Sequence, residues 1–474
     1  MFIKNISIQG YGPFRKIDVP LWSDDKPERK VTILIGENGA GKSAFLEGIA
    51  TLLSWLVARL RGEKNPGSPL DSLKIHHGFP YAILKTVLHA NSKDFTWHLA
   101  KIAKGKRIKV ESSLKEASML ASIFAEAYTQ NETTSLPLVG FYPTERYVLD
   151  FPKKIRTRHT FKPINGYDGV LTRGIDFRLF FEWFRDREDI RNEGKVDIGE
   201  LFPYIDRNRL KAALEHKANT NSNLLDMFSI INEEHIKKSN PGLFQRIQNR
   251  DVINNDPQYF AVLRAIENFM PGYSNLHIER KPRMRMVIEK DEMPLDILQL
   301  SQGERSLLAL VGDIARRLAI MNPGLTDPLQ GEGVVLIDEV DLHLHPRWQR
   351  SIVRRLRETF PNCQFILTTH SPLVISDADN IQVLALKDGE IRELSNLYGM
   401  DVEQVFLEIM QTPLRDERLQ QRLDDLIDFI QDREFKKAKK LRQELGAILP
   451  PDHRELVRAD IFLRRQEALH AKDN

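Results

Sequence analysis

The stretch KVTILIGENGAGKS, residues 30–43, decides the fold of this chain. Residues 30–35 form a short apolar run that is typical of a buried strand. A glycine-rich loop follows, and residues 44–60 then repeat apolar side chains at helical spacing. Strand, loop and helix in this order are the context in which a G-x-x-x-x-G-K-S match predicts a phosphate-binding loop, or P-loop.

The P-loop residues suit a nucleotide triphosphate. Glycines let backbone amides turn towards phosphate oxygens where a Cβ would interfere, and the following helix adds its N-terminal dipole. We expect Lys42 to reach the β- and γ-phosphates, with a catalytic role, and Ser43 to ligate Mg²⁺. ATP and Mg²⁺ are therefore the predicted cofactors. The residues assigned to nucleotide binding in this loop are Gly36, Glu37, Asn38, Gly39, Ala40, Gly41, Lys42 and Ser43.

A second segment, VVLIDEVDLHLHP at residues 334–346, is an apolar strand that ends in two carboxylates. Open α/β sheets place ligands at the carboxyl ends of their strands. We therefore expect Asp338 to hold Mg²⁺ and Glu339 to position the attacking water. His343 and His345 raise the alternative of another metal site, but no cysteine or further set of acids accompanies them.

A third segment, LSQGER at residues 300–305, begins a helix. Ser301 offers a hydroxyl and Gly303 exposes its backbone amide, which fits a second helix N-terminus aimed at a phosphate. The same residues also fit an ordinary helix start, with Ser301 and Glu304 in a capping box. Both interpretations stay open on the residues alone.

LSQGERSLLAL resembles the signature loop of ABC-type ATPases of the SMC/RecF-like class, although Gln302 and Glu304 depart from the common SGGQ form. The resemblance implies that Ser301, Gly303 and Glu304 contact the nucleotide held by a second subunit. It also implies that His370, at the end of CQFILTTH, is the switch histidine and acts in catalysis beside the γ-phosphate.

Five longer stretches narrow the resemblance to the PtuA-type ATPase subunits of Septu anti-phage systems, including those encoded beside retrons. This resemblance implies a homodimer that sandwiches ATP, with a higher oligomer left open, and an HNH-type nuclease subunit as the partner. Direct contact with DNA, or with a retron RNA or DNA, is also left open. The stretches are FYPTERYVLD (141–150), FFEWFRDREDIRNE (180–193), LSQGERSLLALVGDIARRLAI (300–320), GEGVVLIDEVDLHLHPRWQR (331–350) and FPNCQFILTTHSP (360–372).

The predicted fold class is α/β: a P-loop ABC-type ATPase head with a mostly helical insertion and a helical C-terminal extension. Three strands are predicted within residues 82–110. The C-terminal extension carries an apolar stripe that either packs onto the ATPase body or docks an effector; its members are Leu419, Leu423, Leu426, Ile427 and Ile430. The predicted parts are 1–150 and 276–395 for the head, 151–275 for the insertion and 396–474 for the extension.

The composition limits the class of protein and the partners that the chain can have. The 474 residues are 41% hydrophobic and 28% charged, which suits a globular protein with a substantial core. A net charge of +3 gives no case for a nucleic-acid partner from the total alone. The single cysteine, Cys363, excludes an internal disulfide. No run of about 20 apolar residues predicts a bilayer span, and no signal peptide is recognised, so we expect a cytoplasmic protein without a membrane partner.

The alternative function is that of a RecF-like ATPase in DNA repair or recombination. It would need a basic stripe, for which KKIRTRH (153–159) and RKPRMR (280–285) are the candidates. The acids beyond His370 are interleaved with lysines and arginines, which is typical of a solvated helical face rather than a nuclease centre. We therefore expect no intrinsic nuclease, so that any effector must be a separate subunit.

Overall fold

The structure is a computed structural model that describes residues 1–23, 25–144, 161–171, 174–193, 233–242, 256–394, 397–406, 416–450 and 452–473. It divides into two compact units, Met1–Gly399 and Met400–Asn474. Much of the predicted insertion, including the basic run 153–159, lies outside the described residues, so its bounds stay a prediction.

The strand and the helix predicted at residues 30–35 and 44–60 both form. The strands are β1 Phe2–Tyr11, β2 Phe14–Pro20, β3 Val31–Gly36, β4 Tyr81–Ala90, β5 Lys93–Ile102, β6 Leu138–Tyr142, β7 Tyr273–Glu279, β8 Arg285–Lys290, β9 Met293–Asp296, β10 Gly333–Ile337, β11 Cys363–Thr368, β12 Gln382–Lys387 and β13 Glu390–Leu394. The α-helices are α1 Lys42–Arg61, α2 Lys115–Gln130, α3 Phe177–Glu193, α4 Glu233–Ser239, α5 Pro257–Phe269, α6 Gln302–Met321, α7 Pro346–Gln349, α8 Ile352–Thr359, α9 Pro372–Ser376, α10 Val402–Gln404, α11 Glu417–Gln431, α12 Phe435–Gly446 and α13 Arg454–Asp473.

A six-stranded sheet organises the first unit, in the order β13-β12-β3-β11-β10-β6. All neighbours in it run parallel except β12 and β13. β11 stands between β3, which leads into the P-loop, and β10, which leads into the two carboxylates. Because parallel strands end at one edge, these segments meet at the carboxyl edge of the sheet. The predicted α/β fold class is confirmed.

The first unit also contains two smaller antiparallel sheets. Their strand orders are β2-β1-β4-β5 and β7-β8-β9. Two of the three strands predicted within residues 82–110 form, as β4 and β5. The third predicted strand, RIKVE at 107–111, does not form, so that prediction is wrong. Residues 104–109 are all exposed, so their alternating pattern has no apolar face to hold against the sheet.

Helix α1 is the core helix of the first unit. It contacts β3, β6, β10 and β11 on one side and β4 and β5 on the other. Phe45, Ile49, Leu53 and Leu56 are all fully buried along it. Burial on both sides explains why α1, alone among the described helices, is long and apolar enough by composition to cross a membrane; 61% of that apolar window is buried inside the fold.

The C-terminal unit is built around its own apolar core from α11, α12 and α13. Within the predicted stripe, Leu423, Leu426 and Ile430 are buried, and they pack with Leu445 of α12 and Leu456 of α13. The stripe therefore covers itself within its own unit. Sequence spacing shows that a face is apolar without showing which residues cover it. The role of the extension as an effector-docking element stays a prediction.

A buried charge network joins helix α6 to strand β6. Asp313 accepts hydrogen bonds from Arg316 (2.6 Å), Arg317 (2.6 Å) and the Tyr142 hydroxyl (3.1 Å). Arg317 also donates to the carbonyl oxygen of Gly166 at 2.6 Å. Burial opposes ionisation of Asp313, but the two guanidinium groups prevail and hold its pKa below the usual value. The network depends on Asp313, since this carboxylate faces two buried cations.

Asp313→Asn should therefore destabilise the protein by about 3–5 kcal/mol, because it leaves buried guanidinium charge without its counter-ion. The control is Asp377→Asn, which removes the carboxylate partner of Arg350 from an exposed pair and should cost about 1 kcal/mol or less. Chemical denaturation followed by circular dichroism measures both. Equal losses in the two variants would contradict a stabilising role for the network.

Candidate functional site

The P-loop adopts the backbone that its glycines permit. Gly36 and Gly41 have φ angles of +151° and +109°. A side-chain carbon at Gly36 would collide with the Leu386 carbonyl oxygen, and one at Gly41 would collide with Pro13. At these two positions, therefore, both conformation and space demand glycine. Residues 37–39 between them are exposed at the carboxyl edge of the sheet.

The N-terminus of α1 is open to an anion. Gly41 is its N-cap, no side chain caps it, and its first turn holds no acidic residue. Its first-turn amides thus keep the partial positive charge that attracts phosphate. Ser43 is exposed in this turn, where its hydroxyl can reach a metal bound to the phosphates.

Lys42 connects the loop with the acidic strand end. Its ammonium donates to the carbonyl oxygens of Gly36 (2.8 Å) and Glu37 (3.0 Å). Burial lowers the pKa of Lys42, while the nearby carboxylates of Asp338, Glu339 and Asp341 act in the opposite direction. The P-loop and the acidic strand end, predicted separately, therefore share one electrostatic environment.

Two threonines that the sequence analysis missed orient Asp338. Its carboxylate accepts hydrogen bonds from Thr368 (2.5 Å) and Thr144 (3.1 Å), and the residue is only 4% exposed. Thr368 ends β11, and Thr144 lies two residues beyond β6. A hydroxyl residue at the end of an apolar strand is the signal that could have found them.

Glu339 sits in a left-handed backbone conformation, with φ at +48°. Its amide donates to the Thr368 hydroxyl at 2.7 Å, and the next amide, of Val340, donates to the Thr368 carbonyl at 2.9 Å. A left-handed residue other than glycine costs about 1–2 kcal/mol, and such strain concentrates at functional sites. The hydrogen bonds to Thr368 therefore hold a strained backbone at Glu339, which marks this turn as a candidate functional position.

His370 follows β11 at the same edge and is half-buried. The residues on either side of it are tied to the segment after the acidic strand. Thr369 donates to Asp341 at 2.5 Å, and Ser371 donates to Gln349 at 2.9 Å. These bonds hold the segment around His370 against the residues that follow the acidic strand end. The role of His370 as the switch histidine stays a prediction.

The start of α6 shows the capping box that the sequence allowed. Ser301 accepts from the Glu304 amide at 3.3 Å, and its own amide donates to the Glu304 carboxylate at 2.7 Å. Glu304 also accepts from Lys290 and from the Tyr273 hydroxyl. Although burial opposes ionisation, these hydrogen bonds lower the pKa of Glu304 to about 2. Glu304 thus has a structural role at the predicted signature loop.

Gly303 brings the signature loop to the carboxyl edge of the sheet. A side-chain carbon at Gly303 would collide with the carbonyl oxygen of His343, five residues after Asp338. Across the described residues, no hydrogen bond or ion pair joins residues 300–305 to the P-loop, residues 36–43. Within one chain, the signature loop and the P-loop thus lie at the same edge of the sheet but are not bonded into one nucleotide site.

The alternative metal site at His343 and His345 finds no support. The His345 ring nitrogen Nδ1 accepts the Arg347 amide at 3.2 Å and so caps α7. Within the described ranges, no group of three or more His, Cys, Asp or Glu side chains could hold a metal. Ser43 and Asp338, by contrast, offer the hard oxygen donors that Mg²⁺ prefers when phosphates and water complete its shell.

Residues 31–376 match the family described as "AAA domain, putative AbiEii toxin, Type IV TA system". The chain is 32% identical to the retron Ec83 probable ATPase of Escherichia coli, covering 98% of this chain and 87% of that protein. It is 33% identical to the retron Vc95 probable ATPase of Vibrio cholerae serotype O1 biovar El Tor, covering 86% of this chain and 79% of that protein.

Two further similarities are narrower. Over 94 residues, 20% of this chain and 13% of the relative, it is 44% identical to the Septu protein PtuA of Bacillus mycoides (strain KBAB4). A solved SmcHead bound to the C-winged helix domain of ScpA aligns at a TM-score of 0.43 and 14% identity, covering 83% of this chain and 98% of that one. That last likeness is too distant to carry an argument. The sequence matches confirm the predicted resemblance to retron and Septu ATPases.

The strained turn at Glu339 allows a test of stability against function. Glu339→Gly and Glu339→Ala both remove the carboxylate, but only glycine relieves the left-handed backbone. Glu339→Gly should be more stable than Glu339→Ala by about 1 kcal/mol, while both lose ATP hydrolysis. Thermal unfolding and phosphate release measure the two effects. If the alanine variant is at least as stable, Glu339 is not strained.

Proposed function

Because the chain belongs to the AAA-domain family that residues 31–376 match and to the family of the retron probable ATPases, we propose that it is an Mg²⁺-dependent ATPase of an anti-phage defence complex. One observation carries the proposal. The carboxylates of Asp338 and Glu339 lie close enough to the P-loop cation Lys42 to oppose the lowering of the Lys42 pKa by burial. This combination of a phosphate cradle and acids is the chemistry that phosphoryl transfer to water requires.

Each residue has a distinct part in the proposed reaction. Lys42 exchanges the carbonyl oxygens of Gly36 and Glu37 for phosphate oxygens of ATP. Ser43 and Asp338 would hold Mg²⁺, which when bound neutralises charge on the β- and γ-phosphates. Glu339 orients the attacking water, and His370 borders the γ-phosphate.

The proposed active unit is a homodimer. The first turn of α6 points a second helix N-terminus towards the carboxyl edge, yet nothing in the described residues bonds it to the P-loop of its own chain. A two-fold pair would place this turn, with Ser301 and Gly303, over the ATP of the other subunit, where helix amides stabilise phosphate charge. Each chain thus supplies half of two sites.

We further propose that the ATP cycle controls a separate HNH-type nuclease subunit, as the Septu resemblance implies. The C-terminal unit is the proposed docking element, even though its predicted stripe is occupied by its own core. Val457 and Ile461 are 42% and 65% exposed, one helical turn apart on α13. Those two side chains give an effector an apolar face to bind.

Among the described residues, which leave out the basic run 153–159, no observation favours the RecF-like alternative. Within the basic run 280–285, Arg280 pairs with Glu188 and Asp189, and Arg285 pairs with Glu279. Two of its cations are therefore engaged by carboxylates, which weakens it as a phosphate-binding stripe. The defence proposal is accordingly preferred.

The ATP sandwich predicts opposite behaviour for two substitutions. Glu339→Gln should keep ATP but lose about 100-fold or more in turnover, since the water is no longer positioned, and should accumulate as a dimer with ATP and Mg²⁺. The double variant Lys42→Ala with Glu339→Gln should bind ATP about 10- to 100-fold more weakly and should not form the ATP-dependent dimer. Light scattering after size exclusion measures the mass. A Glu339→Gln mass unchanged by ATP would refute the sandwich.

The docking proposal predicts a separable defect. The double variant Val457→Asp with Ile461→Asp should lose co-purification of the HNH-type subunit, because charge replaces the apolar contact, while ATP-dependent dimerisation persists. Arg458→Asp, at a 77% exposed position on the same helix, is the control and should retain the partner. Retention of the nuclease by the double variant would exclude α13 as the docking face.

A further inference from the structure

Three exposed apolar side chains stand beside the two halves of the proposed ATP site. Leu73 is 90% exposed, the highest value among the large hydrophobic residues of the described structure, while Met293 is 63% and Leu298 is 49% exposed. Scattered apolar residues are ordinary on a protein surface. What distinguishes these three is their position.

Leu73 is held beside the P-loop. Its amide donates to the Asp71 carboxylate at 2.9 Å, within a short 3-10 turn. The next residue, Lys74, accepts the Gly12 amide at 2.8 Å and pairs through its ammonium with Glu47 of α1. Leu73 is therefore fixed next to the first turns of α1, with its side chain in solvent.

Leu298 is held beside the signature loop, three residues before Ser301. Its amide donates to the Asp296 carboxylate at 3.0 Å. Its neighbours Ile297 and Leu300 are buried and anchor the turn from both sides. Met293 begins the strand β9, which ends at Asp296 and leads directly into this turn.

We propose that Leu73 of one copy packs against Leu298 and Met293 of a second copy, forming an apolar clasp at the rim of each ATP site. The clasp rests on the proposed dimer and specifies its side-chain contact. Docking that brings the P-loop of one subunit to the signature loop of the other also brings together the residues that flank them. In a two-fold pair each contact occurs twice, so the dimer carries two clasps.

A second copy is the occupant that these positions favour. The apolar residues flank two half-sites that lack each other within one chain, and each flank is held by its own hydrogen bonds. A partner that binds only one of the two flanks would leave the other exposed, whereas a second copy covers both. Closure over ATP also removes water from the rim, which strengthens the charge interactions inside.

Cysteine cross-linking tests the clasp in the full-length protein. The only native cysteine, Cys363, is buried, and burial raises the pKa of its thiol to about 12, so it stays unreactive. Leu73→Cys and Leu298→Cys are made as separate variants in the Glu339→Gln background, then mixed and treated with a short bismaleimide. We expect a covalent dimer from the mixture only when ATP and Mg²⁺ are present.

Glu28→Cys replaces Leu298→Cys in the control mixture. Glu28 is exposed and precedes β3, so it lies at the opposite edge of the sheet and should give no covalent dimer. Light scattering on the same samples measures the dimer itself, so that the clasp and the proposed ATP-dependent dimer are tested separately. A dimer without a link between positions 73 and 298 overturns the clasp and leaves the proposed function standing. The absence of any ATP-dependent dimer overturns both, and equal linking in the control overturns the clasp.

A second test measures the affinity of the two subunits for each other in the ATP-bound dimer. Leu73→Ser should raise the dissociation constant of the ATP-bound dimer about tenfold or more, since each dimer loses two apolar contacts, while Leu73→Met should stay near the parent value. ATP binding to the monomer should be the same in both variants. An unchanged dimer constant for Leu73→Ser would overturn the clasp.

Discussion

The hydroxyl of Thr368 governs the shape of the proposed catalytic edge. It donates to the Asp338 carboxylate and accepts the amide of Glu339, so one group fixes both Asp338 and the left-handed turn after it. Thr368 can do this because β11 lies between β10 and the P-loop strand β3. The strand order therefore sets the separation of Asp338 and Glu339 from the P-loop.

Tyr142 extends this arrangement to the signature helix. Its carbonyl accepts the Asp338 amide at 2.8 Å, while its hydroxyl donates to Asp313 of α6. Strand β6 thus contacts the acidic strand end through its backbone and the signature helix through a side chain. Since Asp313 is also bound by two buried arginines, α6 cannot shift without disturbing paired charges whose separation is costly. The buried charge network consequently ties the helix that begins at the proposed signature loop to the strand beside Asp338.

Sequence reasoning was strongest where function depends on local spacing. The glycines of the P-loop, the apolar strand before Asp338 and the capping box at Ser301 each act within a few residues, so their patterns are legible without a fold. It failed where burial decides. The 107–111 segment alternates like a strand but has nothing to pack against, and the C-terminal stripe is covered by α12 and α13 of its own unit.

The sequence by itself determined the phosphate cradle, the acidic strand end and the family, because backbone amides and carboxylates are placed there by neighbours in the chain. Only the tertiary structure decided which hydroxyls orient Asp338, that Glu339 is left-handed, and that Leu73 and Leu298 stand exposed beside two half-sites. Thr368 ends β11, while Thr144 and Asp338 follow β6 and β10, so their meeting depends on strand order. Hydrogen bonds of about 3 Å between distant segments leave no periodic trace in a sequence.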